Sequence, residues 1–122
     1  MTERSLTVRE LVDESWQHAE NKGFHDKNKT FAEDVALFHS ELSEALEEWR
    51  NGHAPTEVYF SPSVTAEGVQ TKKPEGVPIE LADVLIRIFD VSKTYGIDLE
   101  AALRLKMEYN RSRPHLHGGK AL

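Results

Sequence analysis

Apolar and polar residues follow the period of an amphipathic helix along most of the chain. The first such segment opens with a capping box at Thr7 and keeps its apolar residues on one face as far as Gly23. The second segment repeats the capping pattern at Thr30 and ends at Gly52. These boundaries predict two helices joined by a short connection.

Two further helices are predicted in the second half of the chain. Pro78 suits the first turn of a helix that ends at Gly96. Asp98 is a good N-cap for the next helix, which should end near Ser112 because Pro114 follows. Helix 3 is apolar on nearly all sides, and this pattern predicts that it is buried on several sides.

The helical period is lost between residues 53 and 77. This segment holds three prolines, two glycines and a short β-favouring run at 58–60 (VYF), so it predicts a long loop or a small hairpin. No internal repeat or second domain is visible. The sequence therefore predicts one domain over residues 1–122, all-α and of the four-helix-bundle type, with that loop or hairpin between helices 2 and 3.

Composition excludes several classes of protein. Fifteen basic and 21 acidic residues give a net charge of −6, which argues against a partner that is a nucleic acid polymer. The absence of cysteine excludes disulfides, thiol nucleophiles and cysteine-ligated zinc. No apolar run is long enough to span a membrane, and the N-terminus lacks a signal region. We therefore expect a cytoplasmic protein without a membrane partner.

Acidic side chains form two strips at helical spacing. The strip on helix 2 spans roughly 60° and comprises Glu41, Glu44 and Glu48. The strip on helix 3 spans roughly 80° and comprises Glu80, Asp83, Arg87 and Asp90. A charged strip on such an apolar helix should face a cleft or a partner.

These acids allow two interpretations. In a chain that is 30% charged, Glu-x-x-Glu commonly marks a solvated face. Carboxylates that converge without a cation repel one another and raise each other's pKa values. Mg²⁺ relieves that conflict and is typically held by carboxylates, water and substrate phosphates, so a magnesium–phosphate site is predicted. A di-iron bundle is excluded because its Glu-x-x-His motif does not occur.

Helix 4 carries candidate phosphate ligands. Lys106, Asn110 and Arg113 continue the helix's apolar stripe, where a polyphosphate would match their charge and hydrogen-bonding groups. Pairing with acids of neighbouring helices is the structural alternative. Trp16 is a candidate contact for a nucleotide base, although ordinary packing is the favoured explanation for it. Other aromatic candidates are Phe24, Tyr59 and Phe60.

Several motifs resemble those of the MazG-like all-α nucleoside triphosphate pyrophosphohydrolases. They are the segments 40–48 (SELSEALEE), 80–84 (ELADV), 106–114 (KMEYNRSRP) and 117–120 (HGGK). The resemblance implies a helical bundle that assembles as a homodimer or homotetramer. It also implies Mg²⁺-dependent hydrolysis of (d)NTP to (d)NMP and pyrophosphate, with Mn²⁺ as an alternative ion and nucleotide-pool clean-up as one role.

Motif position assigns roles to individual residues. The implied metal ligands are Glu41, Glu44, Glu80 and Asp83. The implied phosphate-binding residues are Lys106, Asn110 and Arg113. The implied catalytic residues are Glu41, Glu44 and Glu48. Ser40 stands where many members carry a further glutamate, so Glu48 or Glu47 is left as the carboxylate that activates water.

Two alternatives remain open at this point. A phosphoribosyl-ATP pyrophosphohydrolase of the same superfamily has a similar acidic layout. A non-catalytic helical interaction module would use the acidic faces for solubility or docking. The preferred base and sugar, the number of metal ions and the choice between dimer and tetramer are not determined by the sequence.

Overall fold

Four α-helices and one β-hairpin form the protein in the computed structural model, which describes residues 5–113. The helices are α1 (Val8–Asn21), α2 (Phe31–Arg50), α3 (Val77–Thr94) and α4 (Leu99–Ser112), with a short 3₁₀ helix at Phe24–Asp26. The strands are β1 (Tyr59–Val64) and β2 (Gln70–Glu75). The mostly helical prediction is confirmed, while the motif at 117–120 lies outside the described residues.

The predicted helix starts are confirmed by their capping hydrogen bonds. The Thr7 hydroxyl accepts from the backbone N–H of Glu10, and the Glu10 carboxylate accepts from the Thr7 N–H. Thr30 and Glu33 form the same reciprocal pair at the start of α2. Each box satisfies backbone donors that the first turn of a helix leaves without intrahelical acceptors.

Helix α3 lies between α1 and α2 and packs against both. Phe31 meets Tyr95 edge-on at 5.1 Å between ring centroids, while Glu41 contacts Arg87 farther along the pair. The N-terminal end of α2 therefore lies beside the C-terminal end of α3, so the two helices run in opposite directions. This pairing sets which residues of α2 and α3 face one another.

The three packed helices form a layer with a thin core. The buried apolar residues are Val12, Ala19, Ala45 and Val77. Many larger apolar side chains on α2 and α3 are about half exposed, among them Leu42, Leu46, Trp49, Leu81, Leu85 and Ile86. The predicted burial of α3 on several sides is therefore incomplete within one chain.

Helix α4 meets α1 through its first turn. Arg9 of α1 contacts Asp98 at 3.0 Å and the buried carboxylate of Glu100 at 2.8 Å. Beyond that turn, residues 101–113 are all exposed. A single chain thus supplies three packed helices and one projecting helix. None of the helices within residues 5–113 combines the length and apolar character needed to cross a membrane.

The connection between α2 and α3 is a small antiparallel hairpin, one of the two forms predicted for it. Tyr59 pairs with Glu75 and Val64 with Gln70 at the two ends of the ladder. Gly76 then joins β2 to α3 with φ at +120°, and a Cβ atom there would lie 2.3 Å from the Glu57 carbonyl oxygen. A glycine is required at this close approach.

His25 links three parts of the fold. Its Nδ1 lies 2.7 Å from Glu20 of α1, and its Nε2 lies 2.6 Å from Asp90 of α3. The ring also lies against Trp16, with 5.0 Å between centroids. Burial alone would lower the pKa of His25, but the two carboxylates outweigh it and raise that pKa above its ordinary value.

The raised pKa predicts a pH-dependent contribution of His25 to stability. Protonated His25 stabilises the folded state fully below the unfolded value of about 6.5, and this contribution is lost as the pH rises through the higher folded value. We expect His25→Gln to lower the free energy of unfolding by about 1–3 kcal/mol near pH 6, and by less near pH 8.5. Urea denaturation at both pH values measures the difference.

His18→Gln is the matched control, because His18 is exposed on α1. Its effect should be small at both pH values. An equal loss of stability at the two pH values in His25→Gln would contradict the proposed protonation of His25.

Candidate metal centre

Three carboxylates from α2 and α3 converge. Glu41, Glu44 and Glu80 each offer an oxygen, and these oxygens all lie within 4.8 Å of one another. Glu41 and Glu44 share a face of α2 because they are three residues apart, and the antiparallel packing of α3 brings Glu80 opposite them. Three of the four predicted metal ligands are therefore brought together.

Glu80 distinguishes this cluster from an ordinary acidic surface. Its Oε2 atom is buried and has no hydrogen-bond partner among the described residues. Burial, followed by the charges of Glu44 and Asp83 and by a hydrogen bond between the Glu80 and Glu44 carboxyl groups, raises the pKa of Glu80 to about 7. A buried carboxylate oxygen without a partner is costly, and a proton or a cation relieves that cost. The donor set fits a hard divalent cation.

Asp83, the fourth predicted ligand, lies beside the group of three. Its pKa is raised first by burial and then by the charge of Glu41, while the charge of Arg87 acts in the opposite direction. The charge of Asp83 in turn acts on Glu80. Asp83 thus shares the electrostatic field of the cluster, although its oxygens are not among those that converge within 4.8 Å.

The charged strip of α3 divides between its two neighbours. Arg87 donates from Nε to Oε1 of Glu41 at 2.9 Å, on the α2 side. Asp90 bonds instead to His25, which follows α1. The sequence indicated that these residues share a strip, but only the packing determines which helix each one faces.

Glu48, the third predicted catalytic acid, is held by the hairpin. The Tyr59 hydroxyl donates to the Glu48 carboxylate, at 2.8 Å from Oε2 and 3.0 Å from Oε1. The His53 ring stacks on Tyr59 at 4.4 Å. The bond to Glu48, followed by burial, raises the pKa of Tyr59 to about 12. Glu48 lies one turn beyond Glu44, so the hairpin fixes the end of the acidic strip.

Within one chain, the predicted phosphate-binding residues do not meet the acidic cluster. Lys106 and Asn110 are exposed on α4, and Arg113, which follows the last residue of that helix, is exposed as well. Lys106 lies over the Tyr109 ring at 5.0 Å, and Arg113 lies 5.8 Å from it. None of the ion pairs found in residues 5–113 joins Lys106 or Arg113 to an acid. The two cations of the C-terminal motif therefore do not reach the acidic cluster of their own chain.

Trp16 also lies away from the acids. It packs between His25 and Lys93, whose Nζ lies 5.3 Å from the Trp16 ring. Lys93 is ten residues beyond Asp83 on α3, a distance of about 15 Å along the helix. Among the other aromatic candidates, Phe24 and Phe60 are exposed, and Tyr59 is the one that contacts a predicted catalytic acid.

Sequence reasoning missed two of these contacts, Tyr59 with Glu48 and Arg87 with Glu41. The β-favouring run at 58–60 was the available signal for the contact of Tyr59 with Glu48. For the contact of Arg87 with Glu41, the signal was the position of Arg87 one helical turn after Asp83. No protein-family model, curated protein or solved structure matches the chain. The interpretation of the cluster therefore depends on its own residues and geometry.

The raised pKa of Glu80 predicts a response to pH and to cations. Because that pKa is about 7 in the folded protein against 4.5 ordinarily, ionisation of Glu80 should destabilise the cation-free protein as the pH rises through this interval. Mg²⁺ should restore stability, by about 2.7 kcal/mol at a concentration 100 times its Kd. Glu80→Gln should remove the pH-dependent loss and most of the Mg²⁺ response.

Thermal denaturation across this pH range, with and without Mg²⁺, provides the measurement. Glu14→Gln on the exposed face of α1 is the control and should behave as the wild type. A Glu80→Gln variant that retains the full Mg²⁺ response would remove Glu80 from the proposed metal site.

Proposed function

We propose that the protein is a Mg²⁺-dependent nucleoside triphosphate pyrophosphohydrolase that converts (d)NTP to (d)NMP and pyrophosphate and serves in nucleotide-pool clean-up. The observation that carries this proposal is the buried, unpartnered Oε2 atom of Glu80 within the cluster formed with Glu41 and Glu44. The order of the acidic and C-terminal motifs, which resembles that of MazG-like enzymes, supports it.

Glu41, Glu44 and Glu80 would hold the ion, with Asp83 beside them. When bound, Mg²⁺ would neutralise phosphate charge and lower the pKa of a coordinated water. In the reaction, a water oxygen would bond to the α-phosphorus as the bond from that phosphorus to the α,β-bridging oxygen breaks. Glu44, the exposed member of the cluster, would accept the proton of that water on the carboxylate oxygen that does not hold the ion.

Glu48 is the second candidate for accepting that proton. Tyr59 holds its carboxylate in place one turn beyond Glu44, as fixed catalytic geometry requires. Glu41 is less suited to this role because it already pairs with a full positive charge, the Arg87 guanidinium, whereas the partner of Glu48 is a neutral hydroxyl. The pyrophosphate leaves with the electrons of the broken bond, and positioned cations lower the energy of the charge that develops on it.

The separation of Lys106 and Arg113 from the acidic cluster supports assembly. Helix α4 presents Lys106 and Arg113 to solvent, and it also exposes Leu105, Met107 and Tyr109. The half-exposed leucines of α2 and α3 leave a second apolar surface uncovered. Exposed apolar surfaces on two elements of one chain favour association between copies.

We therefore propose a homodimer, or a homotetramer built from such dimers, in which α4 of one copy packs on α2 and α3 of its partner. The four-helix bundle predicted from the sequence would form across this interface. Lys106, Asn110 and Arg113 would then face phosphates held at the partner's acidic cluster, while a base contact by Trp16 would also require the assembled form.

Release of pyrophosphate from a panel of nucleotides tests the activity. With Mg²⁺ we expect turnover of at least one (d)NTP, and Glu80→Gln should lower kcat by about 100-fold or more while helical content is retained. Glu14→Gln should keep wild-type turnover. If no nucleotide in the panel is hydrolysed, phosphoribosyl-ATP included, a non-catalytic interaction module becomes the better interpretation.

Mixing two inactive variants tests the assembly. Lys106→Met keeps the apolar stem and removes the charge, so it should lower kcat/KM by the equivalent of about 2–4 kcal/mol. If Lys106 serves the partner's acids, each mixed dimer of Lys106→Met and Glu80→Gln contains one intact site. Co-refolding equal amounts should therefore restore roughly one quarter of wild-type activity.

If Lys106 serves the acids of its own chain, the mixture stays as inactive as the two separate variants. That result would contradict the proposed packing of α4 on the partner subunit. Light scattering on the same samples gives the mass of the assembly. A monomer mass at micromolar concentration would rule out the dimer.

A further inference from the structure

Arg87 reaches from α3 across to α2 and binds an acid of the candidate metal centre. Its Nε donates to Oε1 of Glu41 at 2.9 Å. The Glu41 side chain is 17% exposed and that of Arg87 is 44% exposed, so the carboxylate is set deeper than the guanidinium. The same Glu41 offers an oxygen to the convergence with Glu44 and Glu80.

This contact is the one ion pair that any of the four predicted metal ligands makes among residues 5–113. The four predicted ligands are Glu41, Glu44, Glu80 and Asp83. The charge of Arg87 also favours ionisation of Asp83, against the effects of burial and of the neighbouring acids. Among the described residues, Arg87 is therefore the cation that contacts these acids directly, while Lys73 acts on Asp83 through its charge alone.

We infer that Arg87 is a built-in counter-cation that competes with the divalent cation for Glu41 and so weakens the binding of that cation. The inference rests on the metal centre proposed above and concerns what sets its affinity. An arginine stays protonated, so it cannot vacate the site by losing its charge. A divalent cation at Glu41 must either displace the guanidinium or bind beside it, and both cost binding free energy.

The direction of the effect makes the inference testable. Removal of a metal ligand, or damage to the fold, weakens cation binding. Removal of a competing charge strengthens it. We expect Arg87→Gln to bind Mn²⁺ about tenfold more tightly than the wild type, the scale for one nearby charge at a partly exposed site. Titration of Mn²⁺ alone, followed by the electron paramagnetic resonance signal of the free ion, measures the affinity.

Lys93→Gln is the matched control. Lys93 lies on the same helix, is 41% exposed and pairs with Asp13 at 2.8 Å, on the side that faces α1. The Lys93→Gln substitution removes the same charge as Arg87→Gln, but about 9 Å farther along α3 than Arg87. At that position, salt at about 0.15 M screens the effect of the charge on the acidic cluster. The Mn²⁺ affinity of this variant should equal that of the wild type.

Two further variants guard against a folding defect. Arg87→Met keeps the apolar stem without the charge and should tighten Mn²⁺ binding as Arg87→Gln does. Arg87→Lys keeps the charge and should stay near the wild-type affinity. Unchanged or weaker binding in both neutral variants would overturn the inference, as would equal tightening in Lys93→Gln.

The same titration separates this inference from the proposed function. A wild type that binds no Mn²⁺ overturns the metal centre and the role of Arg87 together. A wild type that binds Mn²⁺, with neutral variants that bind it no more tightly, overturns the role of Arg87 and leaves the metal centre standing.

Discussion

The antiparallel contact between α2 and α3 is the constraint on which the candidate site depends. It places Glu80 opposite Glu41 and Glu44, so the packing of two helices forces three like charges together. The same contact buries one oxygen of Glu80 without a partner and brings Arg87 onto Glu41. The repulsion among these carboxylates destabilises the protein without a cation, and a cation bound between them would remove that repulsion.

The second constraint is the shortage of buried apolar surface within one chain. Its buried apolar residues are mostly small, and no large side chain among the described residues is fully buried. Helix α4 extends from the layer with its apolar and cationic residues exposed together. Assembly and activity are therefore linked in our proposal, because the helix that needs a covering surface also carries the cations that a triphosphate needs.

Much of the fold follows from local sequence signals. The capping boxes at Thr7 and Thr30 set helix starts through contacts three residues apart, which a sequence displays directly. The hairpin was harder to predict because β2 is polar throughout and exposed along most of its length, without the apolar alternation that marks a half-buried strand. The projection of α4 could not be predicted, because an amphipathic pattern does not indicate whether the apolar face of a helix packs against its own chain or against another copy.

The candidate site was predictable to a similar degree. Spacing placed Glu41 and Glu44 on one face, and apolar surroundings set Glu80 apart from a solvated acid. The contact of Tyr59 with Glu48 depends on how the hairpin folds back against α2. Contacts of this kind between different elements produce no periodic pattern in the sequence. Spacing alone also could not assign Arg87 to α2, because one strip of α3 serves two neighbouring helices.

Anomalous diffraction from a crystal grown with Mn²⁺, measured at the manganese absorption edge, shows whether the three carboxylates hold a cation. We expect an anomalous peak bounded by the carboxylates of Glu41, Glu44 and Glu80, with the Oε2 atom of Glu80 turned toward it. Ordered, well-defined carboxylates at that place with no anomalous peak between them would show that the protein has no metal centre there.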